Sequence, residues 1–91
     1  GVAYFNICAV LYNMGETTKT LAACDKAIAA DPKKADAWFI KGSVMVGQAT
    51  VGKNGKTTVP PGTLEALKQY LVLAPDGPHA NDVKQMLDFL K

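Results

Sequence analysis

Apolar positions recur at helical spacing along most of the chain. Between residues 2 and 14, Tyr4, Ile7, Cys8 and Leu11 fall three or four positions apart, and Val2, Phe5, Ala9 and Tyr12 fill an adjoining face. That spacing predicts a helix that is apolar on two sides. Gly15 tolerates the positive φ at which helices commonly end. Leu21, Cys24, Ala27 and Ile28 then begin a second amphipathic helix. Asp31 and Pro32 close it, because proline disfavours a helical conformation in the residue before it. Two helices joined this closely read as a helical hairpin. Ala37, Trp38, Ile40, Val44, Met45 and Val46 carry a third helix to about Gln48.

The helical pattern then breaks. Thr50, Val51, Thr57, Thr58 and Val59 are β-formers flanking Lys53, Asn54, Gly55 and Lys56, and Asn-Gly is a strong hairpin signal. This predicts a small protruding β-hairpin around 50–59, mobile unless it packs on the helices, since an isolated two-stranded ribbon is marginal in water. Pro60 and Pro61 end it. A fourth helix is expected from Thr63 to Ala74, with Leu64, Leu67, Tyr70 and Leu71 inward and Pro75 as its stop. Pro78 suits a first helical position, and Val83, Met86, Leu87 and Leu90 make the inner stripe of a fifth helix whose other face carries Asp82, Lys84, Asp88 and Lys91.

Self-comparison shows a repeat. Tyr4 and Trp38 are 34 positions apart, as are the small residues Cys8 and Gly42. The second helices align at a larger offset of 46, with Leu21 against Leu67, Cys24 against Tyr70, Ala27 against Leu73 and Pro32 against Pro78. The difference of 12 residues between the two offsets is the hairpin insertion. A period of about 34 is that of two-helix repeats, whose units cannot bury their faces alone and therefore stack.

Composition narrows the function. Ninety-one residues, 48% hydrophobic and 20% charged, suit one globular domain. No apolar run approaches the ~20 residues of a membrane span. The chain opens on Gly1 with no leader pattern, as expected of an excised fragment, and its compartment, cytoplasmic or periplasmic, stays open. The net charge is only +2 and all ten basic residues are lysines. Without arginine the chain lacks the bidentate forks that read phosphate and guanine, so nucleic acid is not an expected partner. Cys8 and Cys24 match no metal pattern; both are expected as buried thiols on apolar helix faces rather than as a disulfide framework.

The residues of both units resemble the tetratricopeptide repeat (TPR) family over nearly the whole chain apart from the hairpin. Tyr4, Ile7, Cys8, Leu11, Gly15, Ala27, Ile28 and Pro32 follow the family's order in the first unit; Trp38, Gly42, Ala66, Tyr70 and Pro78 do so in the second. Thr20 and Lys41 depart from the pattern. The resemblance implies an all-α superhelix of antiparallel helix hairpins. Residues 1–34 would form repeat one, 35–77 repeat two with its insertion near 49–60, and 78–91 a capping helix. The run from Pro60 to Pro78 also resembles the C-terminal end of some bacterial TPR proteins, which implies a bacterial source.

In this family the first helices of successive units line a concave surface that holds protein or peptide partners. Carried over, the groove positions are Val2, Phe5, Ala9, Tyr12, Asn13, Phe39, Ser43 and Val46, with Phe5, Tyr12 and Phe39 as anchors. A groove this apolar implies a hydrophobic segment or another copy of the chain as guest. One subclass grips a C-terminal carboxylate with Lys, Asn and Arg. Phe5, Ala9 and Ile40 stand at the matching places here and offer no charge or donor, so that clamp is not expected. Two further readings stay open: the same residues as core against another repeat, in a capping end that self-associates, and a non-catalytic part of a larger enzyme.

Candidate chemistry is thin. Residues 47–54 and 50–57 each miss the phosphate-loop pattern at one position, and they follow a helix and run into two prolines where a phosphate loop would follow a strand and open a helix. His79 is the one histidine and Ser43 the one serine, neither with an evident partner in the sequence. No catalytic residues, metal or cofactor are expected.

Overall fold

A computed structural model describes the backbone of residues 2–90 and the side chains of residues 3–90. Within them lie five α-helices and one two-stranded ribbon: α1 (Val2–Asn13), α2 (Thr17–Ala30), α3 (Ala35–Gly47), β1 (Thr50–Val51), β2 (Thr57–Thr58), α4 (Thr63–Leu73) and α5 (Ala80–Phe89). Each helix packs on the next in sequence, and α1 also reaches α3. The molecule is consequently elongated, 42 × 28 × 19 Å.

The connections follow from local chemistry. Gly15 takes φ +77° at the end of α1, where the amide of Glu16 donates to the carbonyl of Leu11 at 3.1 Å, the six-to-one bond of a Schellman cap. The connection from α1 to α2 is then so short that the helices must turn back on each other. The ribbon is antiparallel, pairing Thr50 with Thr58 and Val51 with Thr57. Its tip is a type I turn from Gly52 to Gly55 (N···O 2.9 Å) with Gly55 at φ +80°, a three-residue loop with a bulge rather than a two-residue Asn-Gly turn. Gly55, Lys56 and Thr57 share a cavity with Phe89 and Leu90, so the ribbon lies beside the end of α5.

Two buried clusters hold the helices. The first joins Cys8, Ala23, Cys24, Ile40 and Val44; the second joins Leu67, Tyr70, Ala80 and Val83. Phe39 packs at the edge of both. Repeat-equivalent small residues sit at close contacts between helices. Cys8 meets Cys24, while a Cβ on Gly42 would lie 2.6 Å from Cδ2 of the enclosed Leu67. The departures from the repeat pattern also find partners. The Thr20 hydroxyl donates to the Glu16 carbonyl at 2.7 Å, and Lys41 pairs with Asp25 at 2.7 Å, tying α3 to α2.

Three expectations are corrected. Cys8 and Cys24 are buried as expected but not free: with Cα atoms 4.9 Å apart they form a disulfide between α1 and α2. Helical periodicity places both on the inner faces of a hairpin, and spacing alone does not reveal that those faces oppose them. Leu64 is not inward but 40% exposed: it stands at the edge of the contact between α4 and α5, where it lines an open cavity with Leu87 and Leu90. Pro78 does not open α5. The amide of Ala80 bonds the carbonyl of Gly77, so a turn precedes the helix and the first helical bond runs from Val83 to His79.

Candidate functional site

The first and third helices bring their aromatic residues to a common hollow. Phe5, Ala9, Tyr12 and Asn13 project from one stripe of α1, at offsets of four, three and one that keep them on a single helical face. Asp36, Phe39 and Ile40 do the same from the first turns of α3. With His79, just ahead of α5, they line a cavity of about 230 Å³. Phe5, Phe39 and His79 are half-buried, whereas Tyr12 and Asp36 stand exposed at its margin.

The floor is braced from beneath. The imidazole of His79 lies flat against the ring of Phe39, with centroids 4.0 Å apart and planes 7° from parallel. Tyr70 packs tilted against both rings, at 5.8 Å from Phe39 and 6.2 Å from His79. Its hydroxyl accepts a hydrogen bond from the His79 amide at 3.1 Å, which sets the turn that presents the imidazole. Gly77 makes room for that hydroxyl: a Cβ there would stand 2.5 Å from it. A tilted aromatic contact such as that of Phe39 with Tyr70 adds about 0.5–1.5 kcal/mol beyond area burial, which helps to fix the slab.

Charge around the hollow is sparse but placed. Asp36 is the one carboxylate lining it. Among the described residues the ion pairs join Lys19 to Glu16 and Lys41 to Asp25, and neither uses Asp36. Lys34 holds its Nζ 4.7 Å from the centroid of the Phe5 ring, a cation over an aromatic face.

Of the groove positions expected from sequence, Phe5, Ala9, Tyr12, Asn13 and Phe39 meet around this cavity. Ser43 lies in an adjoining one that shares Tyr12, and Val46 faces α5 beside Asp82, Met86 and Phe89. Ser43 stands one helical turn beyond Phe39 and Val46 two turns beyond it, so these two line neighbouring cavities rather than this one. The Val2 side chain lies outside the described residues. Sequence reasoning missed Asp36 and His79 as lining residues. Asp36 carried a signal, one turn before Phe39 on the same helix; His79 is 40 positions from Phe39 and lies outside any periodic stripe.

A separate feature is the outer face of α1 and the residue just beyond it, where Tyr4, Ile7, Val10 and Met14 are 45–65% exposed in a row. No residue of α1 is charged. On α3 most of the repeat-equivalent positions are engaged: Trp38 donates from Nε1 to the Pro32 carbonyl at 2.9 Å, Lys41 reaches Asp25, and Val44 is buried. No helix of the described residues is long and apolar enough to cross a membrane. Comparison with family models, characterised proteins and solved structures finds no match to this chain, so its functional reading rests on the geometry above.

Proposed function

We propose that this chain is a TPR-type helical repeat module, without catalytic activity of its own, that binds a segment of a partner protein in the hollow between α1, α3 and the turn before α5. The observation that carries the reading is the convergence of Phe5, Tyr12, Phe39 and His79, from three separate elements, on one cavity open to solvent. A core would enclose such rings. Here Tyr12 is 39% exposed and the stacked pair is half-buried, so aromatic surface stays available to a guest. The 34-residue period and the sequential helix packing support the repeat assignment.

Selection of a displayed random-peptide library tests this. Tyr12→Ala combined with Phe39→Leu removes the aromatic surface while keeping an aliphatic side chain where Phe39 touches both clusters. Peptides enriched on the natural chain should bind that variant at least about tenfold more weakly, a loss of ~1.4 kcal/mol that two anchors readily supply. Equal retention of the same peptides by both proteins would remove the hollow from consideration.

The exposed row on α1 favours a second reading. It is the face that, on α3, docks against a preceding helix, so α1 is also suited to pack on a further helix pair or on another copy of the chain. Light scattering over a concentration series separates these: a mass that rises with concentration and falls back on Ile7→Lys supports self-association, and a constant monomer mass excludes it.

A further inference from the structure

We propose that the hollow is a cation-accepting aromatic pocket, and that the anchor it takes from its partner is a lysine, methylated lysine or arginine side chain rather than an aliphatic one. The inference rests on the reading of the hollow as the partner-binding site and names the chemistry of its guest. Four rings line the cavity, those of Phe5, Tyr12, Phe39 and His79, and the one carboxylate among its lining residues is that of Asp36. The faces of Phe and Tyr rings carry negative quadrupole density and attract cations within about 6 Å of the ring centroid, while the His79 imidazole contributes by stacking on Phe39. An aliphatic guest would gain nothing from Asp36 and would cover part of its hydration shell. A cation gains from the rings and the carboxylate together.

Two observations bear on this beyond the residue types. The Asp36 carboxylate has no ion-pair partner among the described residues, so the negative charge at the margin is not already neutralised. Lys34 Nζ already stands 4.7 Å from the Phe5 centroid, so that ring is engaged within the chain and the faces open to a guest cation belong to Tyr12 and Phe39. Asp36 in the first turn of α3 also suits the helix dipole, but that role does not require it to line an aromatic cavity. The volume of about 230 Å³ suits one ammonium or guanidinium head and falls below the ~300 Å³ at which pockets for larger ligands begin.

The test is an amide-resolved NMR titration of the whole chain with choline, a quaternary ammonium probe, and with its neutral carbon isostere dimethylbutanol, which has the same shape without the charge. Choline should move the signals of Phe5, Asp36, Phe39 and His79 and bind about fivefold or more tightly than the isostere. Asp36→Asn should erase most of that difference while leaving the helical circular dichroism unchanged; Asp36→Glu should restore it. Equal binding of the two probes would overturn the cation preference yet leave an apolar partner groove standing. A lack of response to either probe would also overturn it, and the peptide selection above would then decide by itself whether the hollow binds a partner.

Discussion

Reducing the Cys8–Cys24 disulfide is the most discriminating perturbation of the fold. The bridge closes a loop across a sequence separation of 16 residues, and both cysteines are fully buried. For a loop of this length, the chain entropy withheld from the unfolded state corresponds to about 3 kcal/mol. That exceeds what α1 gains from its own sequence. A helix of 12 residues is marginal alone, α1 carries no charged residue to complement its dipole, and its outer row meets solvent. The first helix should therefore depend on the bridge more than any other element does on a single contact. The assay is urea unfolding followed by far-ultraviolet circular dichroism, on oxidised protein and on protein unfolded, reduced with a phosphine and refolded in its presence. With a slope of ~1–3 kcal/mol per molar urea, the reduced form should unfold about 1–3 M earlier. In heat, the melting temperature should fall by about 12–24 °C, at ~4–8 °C per kcal/mol for a domain of this size. Thiol titration should find no reactive cysteine in native oxidised protein and two per chain after unfolding in reductant. Coincident curves, or two thiols in protein that was never reduced, would refute this account of how α1 is held.

Other substitutions probe separate contacts. Gly42→Ala gains ~1 kcal/mol of helix propensity, but its methyl would meet the enclosed Leu67 at 2.6 Å, so overpacking of ~1–3 kcal/mol should win and lower the urea midpoint. Gly47→Ala, in the same helix with nothing within 4 Å of its Cβ, should instead raise the midpoint by up to ~1 kcal/mol. The Ser43 hydroxyl is buried with no hydrogen-bond partner among the described residues, so Ser43→Ala should stabilise by about 1 kcal/mol, and a loss of stability would reveal a partner for it. Gly77→Ala should push the Tyr70 hydroxyl from beneath His79, visible as changed His79 and Phe39 ring resonances and weaker retention of groove-selected peptides. An unchanged spectrum would show that the turn does not depend on that hydrogen bond.

The helices and the ribbon were legible because their signals are local. A stripe such as Phe5, Ala9, Tyr12 and Asn13 is written into the 3.6-residue period, and Gly15 and Pro32 punctuate it at fixed offsets. The same periodicity placed Cys8 and Cys24 on inner faces, and the two offsets of 34 and 46 located the inserted ribbon before any packing was known. What periodicity does not carry is which stripes face one another. The disulfide, the enclosure of Leu67 by Gly42 and the exposure of Leu64 all depend on how one helix rolls against the next. The spread of Phe39, Ser43 and Val46 over three cavities depends on it too. His79 is the clearest case. Its backbone is fixed by the Tyr70 hydroxyl, nine residues earlier, and its ring is aligned by Phe39, 40 residues earlier. The sequence by itself therefore determined the elements and most of their buried faces, because short-range sterics and hydrophobic spacing act within a few residues. Only the tertiary structure decided the composition of the hollow, because its walls come from segments whose proximity exists once the helices have packed.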